Sequence, residues 1–343
     1  MHVRKHLAAV AALLAAAWIG AVAASAGAAP SAPHLLYDGH TPGSGSTVGP
    51  DGALYVNDPV NGTIVRVDPS TGAASTYADC LPKRLVPSFG FSGGMDVAFI
   101  RHTAYALVTV VSDPLLGGSA PDGIYRIDGP HSCSLLADIG AWSMSHLPDG
   151  RGFDYVLKTG VQYAMQPWQG GFLVTDGHHN RLLRVGLDGS ISELKGFGDV
   201  VPTGLAVHRD TIYMAEAGPI VDGGPEMGKI VAIDAHSTAV TDVASFAPLL
   251  VDVELGRDQT LFALAQGTHS NTDAGTPADP NTGELLRVDR YLSVRVDRFS
   301  VVAKGLDRPT SLEIIGNTAY VVTLTGQIWE VDDIAAPPYG AKG

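Results

Sequence analysis

His178 and His179 stand side by side in "VTDGHHNRLLRVGLDGS", residues 174–190. Imidazole is neutral near pH 7 and suits general-base work or metal ligation. Carboxylates recur at matching points of the chain: Asp96 in "GGMDVAF", Asp252 in "LLVDVEL", and Asp58, Asp176 and Glu216 at the ends of apolar runs. Clustered acids repel, so they need a cation, raised pKa values or solvent between them. Carboxylate and hydroxyl oxygens around a hole suit Ca²⁺ or Mg²⁺. An ion held by Asp96, Asp252 and Glu216 would polarise a carbonyl or activate water. His178, His179 and Glu216 are then the acid–base candidates, and Asp58, Tyr163, Asp176, Thr203 and Thr310 the substrate contacts. The plainer reading stays open beside this one. Asp and Thr at strand starts cap neighbouring backbone, and acids at hairpin ends accept bonds from their own loops. Adjacent histidines point in different directions, and no HxH or HExxH spacing accompanies them. There is no GxSxG elbow, P-loop or GxGxxG, so no nucleotide is expected.

These residues are positioned by a repeat. An apolar run, a tight turn, a second apolar run, a polar loop and a hydrophobic–Arg–hydrophobic–Asp strand recur six times. The second strands are "ALYV", "AYAL", "GFLV", "TIYM", "TLFA" and "TAYV"; the third are "IVRVD", "IYRID", "LLRVG", "IVAID", "LLRVD" and "IWEVD". Six copies of four short strands predict an all-β, six-bladed β-propeller over 33–334. The sixth copy runs out at Asp333 and Ile334 without a fourth strand, while "PHLLYDG" (33–39) is an orphan strand. It is expected to complete the last blade and close the ring, burying the two edges of an open array.

Loop lengths pick the functional face. Turns between first and second strands and between third and fourth are short. Loops between second and third strands, such as 216–229 and 265–284, are long, as are the connections 80–94 and 139–162. Because strands alternate direction, all the long segments emerge on one face, where binding sites usually sit. The alignment places Asp96, Thr203, Asp252 and Thr310 at equivalent starts of the innermost strands, Tyr163 near them, and all the nominated acids around one axial funnel. His269 and His146 share the face without a motif, and "SNTDAGTPADPNTG" reads as a flap over the channel.

The opening "MHVRKHLAAVAALLAAAWIGAVAASAGAAP" reads as an export signal over 1–28, with A-x-A sites at its end. The body after it is expected in the periplasm or outside a bacterial cell, with a tail over 335–343. Removing the signal takes away Arg4 and Lys5 and no acid, so the 22 Lys and Arg become 20 against 35 Asp and Glu, a net charge of −15. That charge disfavours nucleic acid and anionic membranes. A monomer is expected. Cys80 and Cys133 are the only cysteines. The repeat puts them at opposite ends of neighbouring outer strands, about 20 Å apart, beyond the ~7 Å bridging limit. A loop folding back after Cys80 leaves the disulfide open.

"LADIGAW", "GGFLVTDGHHNRLLRVGLDGSIS", "VPTGLAVHRDTIYMAEAGP" and "TGELLRVD" resemble the ScyD/ScyE family of exported β-propellers, over roughly 35–333 and most specifically over 136–220. The chain is similar more distantly to NHL, gluconolactonase-like and streptogramin-lyase propellers. Asp176 and Asn180 match the family's loop, Tyr163 corresponds to its "snPy" tyrosine, and the two histidines depart from it. The resemblance implies a propeller of bacterial secondary-metabolite or envelope contexts. Gluconolactonase-like relatives hold a divalent ion on the axis, but their "EGP" opening is "GSGSTVGPDG" here. The expected function is small-molecule binding at the funnel, with a metal-assisted hydrolase or lyase as one form. A non-catalytic propeller that binds a ligand or protein partner is the rival.

Overall fold

The structure, a computed structural model, describes residues 32–39, 41, 43–85, 91–148, 156–219, 228–270, 276–289 and 298–335. The expected signal at 1–28 and the tail beyond 335 lie outside the described residues. Strand β1 is His34–Asp38, and the remaining strands form blades in chain order. Blade 1 holds β2 (Ser46–Val48), β3 (Leu54–Asp58), β4 (Thr63–Val67) and β5 (Ala74–Ala78); blade 2 holds β6 (Gly93–Ile100), β7 (Thr103–Thr109), β8 (Gly123–Gly129) and β9 (Ser132–Asp138). Blade 3 holds β10 (Gln162–Trp168), β11 (Gly171–Asp176), β12 (Arg181–Gly186) and β13 (Ile191–Gly196). Blade 4 holds β14 (Pro202–His208), β15 (Thr211–Glu216), β16 (Gly228–Asp234) and β17 (Val240–Ala247). Blade 5 holds β18 (Leu250–Leu255), β19 (Leu261–Ala265), β20 (Gly283–Asp289) and β21 (Arg298–Leu306). Blade 6 holds β22 (Pro309–Ile315), β23 (Thr318–Thr323) and β24 (Gln327–Val331), and helix α1 (Ile139–Ser145) lies between blades 2 and 3.

Each blade is an antiparallel four-stranded sheet, and the last one reads β22, β23, β24, β1 from the axis outward. The orphan N-terminal strand therefore closes the ring as the repeat requires, with His34 opposite Glu330. Inner strands meet in the order β2, β6, β10, β14, β18, β22 and back to β2. The fold is a six-bladed β-propeller.

Period-two alternation explains the core. Side chains of a strand point alternately to its two faces, so each middle strand feeds both neighbouring blades. Tyr55 packs with Val97 and Ala106 of blade 2, while Leu54 and Val56 pack with Tyr320 and Val322 of blade 6. Six buried clusters result, one at each seam. No single oversized core is needed, because every cluster is only two sheets thick.

Cys80 and Cys133 are disulfide-bonded, with Cα atoms 5.6 Å apart. The expected 20 Å separation treated the blades as flat. Strands twist by about 20–25° per neighbour, so the end of an outer strand swings over the next blade. The Asp79 N–H accordingly donates to Pro130 O of blade 2 at 2.9 Å, which sets Cys80 beside Cys133.

Candidate functional site

Five of the six inner strands begin with a register irregularity: between Gly94 and Asp96, Gln162 and Met165, Pro202 and Leu205, Leu250 and Asp252, and Pro309 and Ser311. Bulges re-aim side chains beside sites, and here they correct the alignment by one residue. Thr203, Thr310 and Tyr163 are equivalent to one another. Asp96 and Asp252 stand one position later, level with Ser311 and Gly204.

These polar residues stitch the blades together. Asp96 accepts from Val97 N–H at 2.8 Å and from Met165 N–H of blade 3 at 2.6 Å. Asp252 does the same with Val253 at 2.9 Å and Leu312 of blade 6 at 2.8 Å. Ser311 Oγ takes Ser46 N–H of blade 1 at 3.0 Å. Thr203 Oγ1 lies 2.9 Å from Leu250 O of blade 5, Thr310 Oγ1 3.1 Å from Ser44 O of blade 1, and Thr175 Oγ1 donates to Thr203 O at 2.7 Å. Gly204 leaves the room Asp252 needs, since a Cβ there would collide with Asp252 Oδ1.

The structure brings Asp96, Tyr163, Thr203, Asp252, Thr310 and His178 to one cavity of about 930 Å³ on the long-loop face. Asp58, Asp176, His179 and Glu216 do not line it. Asp58 caps its own hairpin, accepting from Val60 and Asn61 N–H at 3.0 and 3.1 Å, and it takes Thr41 Oγ1 at 3.0 Å. Glu216 is buried in blade 4 with Lys229 Nζ 3.7 Å away. Burial pushes its pKa up to about 7 against the pull of that lysine.

His179, Asp176 and Arg181 form a sealed network, each 0 % exposed. Asp176 Oδ2 lies 2.9 Å from His179 Nδ1 and accepts from Arg181 Nε at 3.0 Å. Burial raises the Asp176 pKa, but the His179 and Arg181 pairings outweigh it and bring the value down to about 2. Arg181 continues to His146 O at 2.7 Å and Ser143 Oγ at 2.8 Å, and its guanidinium lies 4.9 Å from the Trp142 ring. The network thus fastens α1 and the 139–148 segment onto blade 3. His178 turns the other way, lines the cavity, and accepts the Leu157 N–H on Nε2 at 3.2 Å. That bond leaves the ring proton on Nδ1, and burial lowers the pKa further.

Two carboxylates were missed. Glu254 and Glu313 line the cavity two residues beyond Asp252 and Ser311, on the same strand faces. The "DVE" of "LLVDVEL" carries that signal, because period-two alternation puts both acids on the axis. Burial raises the pKa of Asp252 to about 7 against its backbone bonds. It raises Asp96, Glu254 and Glu313 well above the usual range, and neighbouring carboxylates push each further. Tyr163 reaches from blade 3 across the axis to blade 6, donating to Thr310 O at 3.4 Å. Its phenol is shifted upward by burial and by Asp252 and Asp96.

Ca²⁺ takes 6–8 oxygens at about 2.3–2.6 Å. Among the described residues, the one set of three His, Cys, Asp or Glu ligand atoms within 4.8 Å of one another is His34, Glu330 and Asp332, at the outer ring closure. No three axial carboxylates among the described residues approach that closely, and Glu216 does not line the cavity with Asp96 and Asp252. The described residues form no compact site of three such ligands on the axis.

No family model and no curated protein matches the chain. Solved structures do match in fold. A gluconolactonase from Xanthomonas campestris superposes with TM-score 0.59 at 13% identity, over 89% of this chain and 89% of that one. A PQQ-bound aldose sugar dehydrogenase from Streptomyces coelicolor gives 0.58 at 16%, over 89% and 99%. A virginiamycin B lyase from Staphylococcus aureus gives 0.52 at 14%, over 88% and 98%. Likeness at these identities carries the propeller architecture and nothing finer.

Proposed function

We propose that this is an exported bacterial propeller, akin to the ScyD/ScyE family, that takes a small molecule into the axial cavity on its long-loop face. One observation carries the reading: a cavity of about 930 Å³ walled mainly by apolar side chains, with polar groups converging on its axial floor. Ligand sites typically measure about 300–1,000 Å³ with that division of lining. A hydrolase or lyase is the form favoured by Asp252, whose pKa of about 7 suits proton transfer at neutral pH. His178 is the second acid–base candidate in the cavity, while His179 and Glu216 act on structure. The gluconolactonase and lyase neighbours lend this form a shared scaffold. The rival form binds without turnover.

The test is a thermal-shift screen of lactones, esters, amines and neutral metabolites, followed by product analysis of every hit. Val156→Trp, at an exposed position on the cavity mouth, should block binding without disturbing the fold. Hits lost in Val156→Trp support the cavity. Hits that survive it, or an empty screen, refute the reading. Turnover abolished by Asp252→Asn separates the enzyme from the non-catalytic binder.

A further inference from the structure

We propose that the cavity selects an amphipathic organic cation, its ammonium group entering the channel beside Asp252, Glu254 and Glu313 and its apolar body filling the funnel. This rests on the small-molecule reading above and names the ligand class.

Among the described residues, the cavity lining holds Asp96, Asp252, Glu254 and Glu313 on the axis and no lysine or arginine. The same molecule shows what it does when a buried carboxylate is to be neutralised from within: Asp176 receives Arg181 at 3.0 Å. No such cation reaches the axial acids among the described residues, so their charge is met by protons or by a cationic ligand. A lone divalent ion is a poor match, since no three of these oxygens lie within 4.8 Å of one another. The charge is spread along a channel whose walls carry Phe91, Met95, Tyr163, Met165 and Leu205. Apolar and aromatic walls desolvate an alkyl or aryl body, and ring faces attract a cation directly. At the mouth, His269 lines the same cavity with a buried Nε2 that has no hydrogen-bond partner, a polar contact left for a bound molecule.

Binding is linked to protons. The titratable groups facing the ammonium are Asp96 from β6, Tyr163 from β10, Asp252 and Glu254 from β18 and Glu313 from β22, with Asp113, His178 and His269 at the mouth; β2 and β14 add only Ser46, Thr47 and Thr203. Raising the pH ionises the axial acids and neutralises His178, and both changes favour a cation. With Asp252 near 7, affinity falls about tenfold per pH unit below that value, so roughly a hundredfold between pH 8 and pH 5.

Isothermal titration of the purified protein with 4-phenylbutyltrimethylammonium, 4-phenylbutanol and 4-phenylbutyrate tests this, at pH 8 and pH 5 and with Ca²⁺ run alongside. The expected result is cation binding at pH 8 at least about tenfold tighter than the alcohol, no butyrate binding, and loss at pH 5. Glu254→Gln/Glu313→Gln should weaken the cation about tenfold or more while raising the melting temperature, because mutual repulsion is relieved. A variant that melts lower is replaced by the two single substitutions read the same way. Equal binding of alcohol and cation overturns the charge selection and leaves the small-molecule reading standing. Micromolar Ca²⁺ binding with no cation binding overturns it in favour of an ion site. Silence from all four probes counts against both readings.

Discussion

Lowering the pH from 8 to 5.5 should make this protein more stable, against the usual trend of a carboxylate-rich chain. Asp252 and Glu216 both titrate near 7 in the folded state, above the ordinary values of about 3.9 and 4.3 expected when unfolded. A raised carboxyl pKa means that the native state binds more protons than the unfolded state between those limits. Stability therefore falls as pH rises through that window and is recovered as pH drops. Integrating each titration from pH 8 to 5.5 gives about 2 kcal/mol per group, or roughly 4 kcal/mol together. Asp96, Glu254 and Glu313, raised by burial and by one another, act in the same direction. His178 opposes them, because its depressed pKa costs stability once the unfolded imidazole protonates below about 6.5. Asp176, held near 2, contributes nothing in this window. Urea unfolding at half-unit pH steps, with the disulfide intact, measures the slope. Glu216→Gln should remove about half of the 4 kcal/mol and leave the rest. A wild-type midpoint that is flat or declining between pH 8 and 5.5 refutes the claim that burial outweighs the compensation these acids receive.

Replacing Arg181 by Met leaves Asp176 buried without its cation and should cost about 3–5 kcal/mol in urea unfolding. A loss under about 1 kcal/mol would mean that the network does not hold α1 in place. Gly204→Ala drives a Cβ against Asp252, whose Cα it would meet at 2.5 Å. It should cost about 1–3 kcal/mol and weaken ligand binding with it. Removing the Cys80–Cys133 bridge, which closes a separation of 53 residues, should cost about 2–4 kcal/mol, read from unfolding midpoints of the oxidised and Cys→Ala forms. Chelation with EDTA should leave the melting temperature unchanged, given that no three axial carboxylates among the described residues bring oxygens within 4.8 Å of one another; a clear fall would restore an ion to the axis.

The sequence predicted the ring well because its signal is periodic. Apolar alternation marked the strands, and "PHLLYDG" fitted the one vacant strand position in blade 6. The face that carries the cavity followed from loop lengths alone. Side-chain detail was less legible. A bulge inserts a residue without altering the apolar pattern, so Thr203 and Thr310 looked level with Asp96 and Asp252 when they stand one position earlier. Asp176 and His179 looked like funnel groups because the fate of Arg181, which stands just before the repeat motif, depends on a segment 35 residues away. It precedes "LLRVG", whose repeat-position arginine is the exposed Arg184, while Arg66 and Arg126 at the same position are exposed enough to pair with surface aspartates. Glu254 and Glu313 were visible to period-two reasoning, but attention to strand starts stopped two residues short.

The contrast between the two acidic groupings bears most directly on function. Around Asp176, every charge is met inside the fold: an arginine, an imidazole and backbone N–H groups bring its pKa down to about 2 despite complete burial. Around the axis, the donors among the described residues are backbone N–H groups and the Ser311 hydroxyl, and they fail to offset burial and repulsion. Stitching blades together does not require this. Thr203, Thr310 and Ser311 make the same inter-blade contacts with hydroxyls and no charge, and Glu254 and Glu313 sit one layer past the stitching ring. An uncompensated carboxylate lowers stability, whereas a hydroxyl or amide at the same place would not. Under the proposed reading, retaining four around one cavity exchanges stability for binding. On that ground, the Glu254→Gln/Glu313→Gln protein should be the more stable one and the poorer binder, and the two changes must occur together for the axial acids to be functional.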